Sequence, residues 1–193
     1  MATVNLNPSS TVSNDWTVSG GDGTAHGVLS DSTTSAIRTQ DQSDVCTVEL
    51  DDYSAGGTIT SIRYCVSGFL YNTRSGDTDI NVILQNSSGT TLYNETETLA
   101  FNSYVPQDHY GTARTTSDGS SAWTDSDLDG LRLSINTIPE DPPSSSYANV
   151  VKAWVEVTYT PAGYGHAVNG IAAASISRVN GITTTSISKV NGV

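Results

Sequence analysis

Three aspartates at alternate positions, followed by a glycine, form the segment whose spacing comes nearest to a metal-binding motif. The motif consists of Asp125, Asp127, Asp129 and Gly130. This D-x-D-x-D-G pattern opens calcium loops, in which carboxylate oxygens surround a hard cation. The position that should supply a bidentate Glu holds Asn136, and a strand pattern follows where the motif requires a helix. We therefore predict no metal and no cofactor. The three aspartates remain calcium candidates beside the alternative, a short acidic turn with Thr124 as N-cap.

Other residue types with catalytic potential are scattered along the chain. The three histidines, of which His109 is predicted at a solvated loop edge, have no second ligand at metal spacing. No nucleophile elbow supports a serine triad. Two acidic pairs, Asp51-Asp52 and Asp77 with Asp79, could suggest glycosidic chemistry, but their turn-like contexts favour hairpin tips. Because no motif carries catalytic geometry, the sequence predicts a protein that is not an enzyme.

The two cysteines, Cys46 and Cys65, lie in consecutive strand-like segments. A hairpin folded at Ala55–Gly56 would place them directly opposite each other, so a cross-strand disulfide is geometrically open. The alternative is two reduced, half-buried thiols, as expected of cytoplasmic synthesis. The sequence leaves both arrangements open.

Aromatic side chains could form a carbohydrate-binding face, because sandwich modules bind glycans by stacking. Trp154 is the candidate surface-contact residue, since strand alternation places it opposite the inferred core face. The alternative is that Trp154 packs in a contact between subunits or under a loop, a role that Trp and Tyr also favour.

Short strand patterns, separated by clusters of turn residues, must position these groups. The strand candidates are Thr3–Leu6, Asp15–Val18, Ala25–Leu29, Ala36–Thr39, Val45–Leu50, Thr58–Tyr71, Thr78–Gln85, Thr90–Leu99, His109–Thr115, Gly130–Thr137 and Asn149–Thr160. In the last of them Val151, Ala153, Val155, Val157 and Tyr159 share one face, and one-sided burial of this kind belongs to antiparallel sheets. In Thr58–Tyr71, a bend at Gly68 would carry the strand from one sheet to the other. The pattern predicts an all-β fold, an antiparallel β-sandwich or jelly roll over residues 1–160.

The formal net charge is −12, and its distribution is uneven. All 20 acidic residues lie at or before Glu156, while Arg178 and Lys189 are the charged residues after Pro161. An acidic body without a positive field argues against nucleic-acid binding. The N-terminal segment lacks the features of a secretory signal, and no apolar run is long enough for a membrane span.

The C-terminal segment, residues 161–193, repeats itself every 11 residues. The recurring positions, which we predict to be assembly residues, are Val168, Asn169, Gly170, Val179, Asn180, Gly181, Val190, Asn191 and Gly192. Asn-Gly between β-branched residues is a hairpin signal, so the segment is predicted to be an extended β-repeat tail. Such a meander has too few large apolar residues to be stable alone and needs a surface or sister chains, whereas the alternative is a disordered tail.

Two stretches resemble structural proteins of tailed bacteriophages. The first is the Trp123-Thr124…Asp127-Leu128…Leu131 segment, which is followed after a loop by Val155-Glu156-Val157-Thr158-Tyr159. The second is the terminal Ile187-Ser188-Lys189-Val190-Asn191-Gly192-Val193 repeat. The resemblance implies a virion protein made in the host cytoplasm, and it transfers no catalytic residue.

Two functions follow from the resemblance. In the first, the chain is a head decoration or cement protein, or a neck or head-fibre component, acting by contacts with copies of itself and other virion proteins. In the second, it is a receptor- or glycan-binding module of a tail appendage. Both make the chain a homo-oligomer on the virion.

Overall fold

The computed structural model describes residues 1–21, 23–31, 35–41, 43–72, 78–100, 105–138, 146–162, 178–179 and 182–183. In this part of the chain, no helix is long and apolar enough to cross a membrane. The elements are β1 (Ala2–Leu6), β2 (Pro8–Asn14), β3 (Thr17–Ser19), α1 (Ala25–Asp31), β4 (Ala36–Thr39), β5 (Val45–Leu50), β6 (Thr58–Asn72), β7 (Thr78–Gln85), β8 (Thr91–Leu99), β9 (Gln107–Tyr110), α2 (Asp125–Leu128), β10 (Arg132–Thr137), β11 (Ser146–Thr160), β12 (Arg178–Val179) and β13 (Ile182–Thr183).

Two antiparallel sheets enclose one apolar core, so the predicted all-β sandwich is confirmed. The six-stranded sheet runs β3-β4-β11-β6-β9, with β1 also paired to β11. The five-stranded sheet runs β2-β5-β10-β7-β8. In β10, Leu133 and Ile135, together with the preceding Leu131, are fully buried in this core.

Strand β11 follows its predicted alternation over most of its length. Ala153, Val155 and Val157 belong to the core, and Tyr159 packs against it. Val151 is buried as predicted, but it lies at a register shift between Val150 and Lys152, and Val150, which was not predicted to face inward, joins the core cluster. A bulge adds one residue and reverses the faces on either side of it.

The predicted strand Ala25–Leu29 is wrong, since these residues form the start of α1. The Thr24 hydroxyl accepts a hydrogen bond from the Gly27 N–H at 3.2 Å, as an N-capping side chain does. Ala25, Val28 and Leu29 are all buried, and their i, i+3, i+4 spacing is a helical face. Five residues are too few to separate this period from strand alternation.

The sequence predicted that β6 crosses from one sheet to the other at Gly68, and this prediction is wrong. The strand stays in the six-stranded sheet, and the irregularity lies opposite Gly68, on β11. The glycine is required there because a Cβ would lie 2.8 Å from the Asn149 carbonyl oxygen.

The predicted hairpin between the two cysteine-bearing strands is also wrong. β5 pairs with β2 and β10, whereas β6 pairs with β11 and β9, so the chain changes sheets between them. Cys46 faces the core and Cys65 lies in the other sheet, and both are free, buried thiols.

The tail is described only at β12 and β13, which pair antiparallel with Val179 opposite Ile182. This is the pairing that a turn at Asn180-Gly181 predicts. The rest of the predicted repeat, including Val168, Val190 and the other Asn-Gly pairs, lies outside the described residues.

Candidate functional site

The outer face of the six-stranded sheet carries a row of aromatic and charged side chains. Each strand of this sheet sends alternate side chains into the core, among them Ile37 of β4, Tyr64 and Leu70 of β6, and Ala153 of β11. The residues next to them along each strand therefore point outward. We call this surface the aromatic face. It comprises Arg38, Arg63, Tyr71, Tyr110, Tyr147, Lys152, Trp154 and Glu156.

At one end of the aromatic face, Trp154 and Tyr110 flank Cys65 on neighbouring strands. Their ring centroids are 6.4 Å apart and nearly perpendicular at 87°. Lys152 Nζ lies 5.1 Å from the Trp154 ring centre, and the side chain of Trp154 is 8% exposed. Trp154 therefore lies on the outer face, as predicted, but it is covered. Tyr110, at 46% exposure, is the ring that this end presents to solvent.

Arg63 joins Tyr110 to the polar part of the face. Its guanidinium carbon lies 4.5 Å from the Tyr110 ring centre, a cation–π distance. The Arg63 Nε donates a hydrogen bond to Glu156 Oε1 at 2.8 Å, and Nη2 lies at the same distance. The ion pair holds the guanidinium in place and leaves a donor and an acceptor beside the exposed ring.

At the other end, Tyr71 and Tyr147 stand directly opposite each other on β6 and β11. Their ring centroids are 6.3 Å apart with a tilt of 34°, and Arg38 lies 5.4 Å from the Tyr147 ring centre. Tyr147 and Trp154 are seven positions apart on β11, which corresponds to about 20 Å of strand.

Next to Tyr147 is an open depression of about 240 Å³, which we call the Arg38 pocket. Its lining includes Arg38, Tyr147, Asp15, Asp41 and Asp44. The pocket lies where the ends of β3, β4 and β11 meet the 39–44 turn. The aromatic face therefore ends in a concave, polar site.

A second group of functional residue types lies between the two sheets, and we call it the inter-sheet cluster. It comprises Tyr64, Glu95, Glu97, His109 and Arg114. Tyr64 OH donates to Glu97 Oε1 at 2.6 Å and lies 3.2 Å from Glu95 Oε2. His109 Nδ1 lies 3.6 Å from Glu97 Oε2, so the predicted solvated edge for His109 is wrong.

The carboxylates of the inter-sheet cluster are committed to partners within it, whereas His109 Nε2 is buried without a hydrogen-bond partner among the described residues. Glu95 pairs with the Arg114 guanidinium and accepts the Thr112 N–H at 2.8 Å. Burial raises the pKa of Glu95, but the hydrogen bonds from Thr112, Arg114 and Tyr64 lower it by more, so the net shift is downward. Burial, with the Glu97 and Glu95 carboxylates, raises the pKa of Tyr64. A pair of carboxylates committed in this way ties the edge strands of the two sheets together.

The acidic segment adopts the turn that the sequence offered as the alternative to a calcium loop. α2 spans Asp125–Leu128 with Thr124 as N-cap. Asp127 Oδ2 accepts the Thr124 N–H at 2.8 Å and its hydroxyl at 2.7 Å, which commits this carboxylate to the helix start. Among the described residues, no group of three or more His, Cys, Asp or Glu side chains is arranged to hold a metal ion.

The remaining tryptophans and the cysteines belong to the interior. Trp16 and Trp123 are in the core, and Trp123 Nε1 donates to the Arg114 carbonyl at 2.9 Å. Burial, followed by nearby carboxylates, raises the pKa of Cys46 and of Cys65 to about 12. The thiols are therefore neutral and unreactive in the folded protein.

No family model and no curated protein matches the sequence. Among solved structures, an arabinose-bound α-L-arabinofuranosidase matches with a TM-score of 0.42 and 9% identity over 81% of this chain and 23% of that one. The catalytic domain of Agl-KA matches with a TM-score of 0.48 and 10% identity, over 88% of this chain and 30% of that one. The CBM22-1 xylan-binding domain of Xyn10C from Paenibacillus barcinonensis matches with a TM-score of 0.43 and 15% identity, over 81% of this chain and 94% of that one. The chain thus spans less than a third of the first two proteins, and the similarities concern the fold alone.

Proposed function

We propose that this chain is a non-enzymatic structural protein of a tailed-phage particle, and that its sandwich binds carbohydrate through the aromatic face. Of the two roles that the sequence suggests, this is the receptor- or glycan-binding module of an appendage. The expected ligand is a glycan of the host surface.

One observation carries the proposal. Among the described residues, Tyr71 and Tyr110 are the exposed aromatic side chains, and both lie on the aromatic face. Aromatic rings elsewhere in the described chain are buried or half-buried. A folded protein that exposes its rings on one surface, beside paired charges, has a surface suited to binding.

Carbohydrate suits this surface better than an apolar protein partner. The C–H faces of sugar rings pack on aromatic rings, and sugar hydroxyls exchange hydrogen bonds with groups such as the Arg63–Glu156 pair. Protein interfaces, in contrast, are depleted of Lys and Glu, and the aromatic face carries Lys152 and Glu156. Here Arg38, Arg63 and Lys152 each lie over a ring.

The test is binding to a glycan array, followed by affinity measurements on the glycan that binds. We expect Tyr110→Ala to weaken binding by roughly tenfold, because an aromatic contact of about 1–1.5 kcal/mol is lost. The matched control is Val12→Ala, which removes an exposed apolar side chain (45% exposed) from the five-stranded sheet. The control should bind like the wild type.

Two results would contradict the proposal. One is a wild-type protein that binds no glycan on the array. The other is a loss of binding in Val12→Ala equal to the loss in Tyr110→Ala, which would show that the contact is not specific to the aromatic face.

Assembly through the tail is the second candidate function, and the β12–β13 pairing favours it. Short strands that cannot bury a core gain stability by adding to the edges of sister copies. This candidate corresponds to the decoration or cement role. Both functions could operate in one protein, because they use different segments.

A further inference from the structure

We infer that the Arg38 pocket is the specificity subsite of the aromatic face and that it binds an uncharged sugar residue of the glycan, an inference that rests on the proposed function. The pocket continues the aromatic face through Tyr147 and Arg38, which belong to both. A chain of sugars lying along β11 from Tyr110 would reach it.

The pocket offers a donor that the described residues leave unpaired. Arg38 is exposed and makes no ion pair within the described part of the chain, whereas Arg63, Arg114 and Arg132 each have a carboxylate partner. Its guanidinium can therefore donate to ring or hydroxyl oxygens of a ligand. Tyr147 supplies the aromatic surface beside it.

The pocket also offers a hydrogen-bond acceptor, the Asp41 carboxylate, on a backbone that is held in place by hydrogen bonds. The Asp41 N–H donates to Thr39 Oγ1 at 2.9 Å, and the Asp41 carbonyl accepts the Thr137 hydroxyl at 2.9 Å. The Asp41 carboxylate itself makes no hydrogen bond to the described residues and is exposed. The hydrogen bonds hold the Asp41 backbone at the pocket and leave its carboxylate available to accept the hydroxyls of a sugar. The Asp44 carboxylate, in contrast, already accepts a hydrogen bond from the Thr39 hydroxyl at 2.5 Å.

The charges around the pocket decide the ligand class. Three carboxylates (Asp15, Asp41 and Asp44) surround the single guanidinium, and the chain has a net charge of −12. Uronic acids, sialic acids and sulfated sugars would therefore be repelled. A free amino group would be attracted by the three carboxylates but repelled wherever it lies beside the Arg38 guanidinium, so it could not take the ring position between Arg38 and Asp41. An uncharged ring, with hydroxyls that can donate to Asp41 and accept from Arg38, fits both groups.

The experiment uses the full chain on a glycan array that includes neutral, anionic and free-amine glycans, followed by titration of the strongest binder. The variants are Asp41→Asn and Arg38→Gln. The matched control is Asp129→Asn, which removes an exposed carboxylate from the acidic turn. Thermal melts of each variant check that the fold is retained.

We expect the wild type to bind neutral glycans, with an affinity that changes little between about 0.05 and 0.5 M NaCl because the bound ring carries no charge. Asp41→Asn and Arg38→Gln should each weaken binding by roughly tenfold, the usual effect of losing a charged hydrogen-bond partner. Asp129→Asn should bind like the wild type.

The outcomes separate the two proposals. Preference for anionic or free-amine glycans would overturn the inference about the pocket and leave the carbohydrate function standing. If Tyr110→Ala loses binding while Asp41→Asn and Arg38→Gln keep full affinity and selectivity, the inference about the pocket is likewise overturned and the carbohydrate function stands. If no glycan binds, the proposed function fails and the inference fails with it.

Discussion

At the residue scale, Tyr64 is the side chain through which the two sheets exchange polar contacts. Its hydroxyl reaches Glu95 and Glu97 on β8, the edge strand of the opposite sheet. Gly111 fits only because it has no side chain, since a Cβ there would lie 2.3 Å from the Tyr64 ring. The Tyr64 hydroxyl and the Glu95 and Glu97 carboxylates are half-buried and paired, so removing any one of them leaves a partner unsatisfied.

Glu95→Gln tests the value of this network. Because the folded-state pKa of Glu95 is lowered, its stabilising contribution is present above the unfolded pKa, near 4.5, and is lost as pH falls through the folded pKa. We expect Glu95→Gln to lower the free energy of unfolding by about 1–3 kcal/mol at pH 7, measured by urea denaturation. The difference in free energy of unfolding between the variant and the wild type should shrink as the pH falls below about 4.

The matched control for Glu95→Gln is Glu49→Gln. Glu49 faces Arg132 Nε at 3.7 Å, and its side chain is 38% exposed. A surface pair of this kind contributes about 0–1 kcal/mol, so the control should change stability little at either pH. A pH-independent effect of Glu95→Gln would show that the ionised carboxylate is not what stabilises the cluster.

At the scale of elements, β11 is the strand that organises the molecule. It pairs with β6 along nearly its whole length and with β1 and β4 on its other side. Its inward residues build the core and its outward residues build much of the aromatic face. The shift between Val150 and Lys152 lets one strand present Tyr147 and Trp154 on the same outer face, although their positions differ by an odd number and strict alternation would place them on opposite faces.

The two faces of β11 should respond differently to a new charge. Val155→Asp places an unpaired carboxylate in the core, so it should destabilise by at least about 3 kcal/mol or prevent folding. Thr158→Asp, on the outward face of the same strand, should stay within about 1 kcal/mol of the wild type. Trp154→Ser should cost less than Val155→Asp in the same urea titration. The reverse order for Trp154 and Val155 would invert the face assignment.

At the scale of the whole molecule, the acidic body and the weakly basic tail are chemically distinct. β11 ends at Thr160, and every acidic residue precedes that point. In the tail the described strands, β12 and β13, pair with each other. Under the proposed functions, the sandwich would bind the glycan and the tail would contact sister copies.

Truncation after Ala162 tests this division. We expect the truncated protein to keep a melting temperature close to that of the full chain and to keep its affinity for the glycan. It should fail to oligomerise in sedimentation velocity and fail to enter particles, because the tail would supply the edges that join copies. If the truncated protein assembles as well as the full chain, the tail is not an assembly element.

The local sequence determined which segments form strands and which of their faces are buried. Residues 36–39 and 45–50 form strands at the predicted bounds, and Val155 lies in the core with Trp154 on the opposite face. Side-chain alternation is a property of a few consecutive residues, so it can be read without knowledge of the fold. The same reasoning fails over Ala25–Leu29, where five residues fit a helix as well as a strand.

Only the tertiary structure decided which strands share a sheet and which side chains meet. Alternation is the same whichever neighbour a strand pairs with, so it could not show that Cys46 and Cys65 lie in different sheets. The Arg38 pocket brings Asp15 and Arg38 beside Tyr147, more than a hundred residues away along the chain. No local pattern marks such a site, because its geometry comes from strand order and from the bulge in β11. The chemistry of these residues was visible in the sequence, but their convergence required the fold.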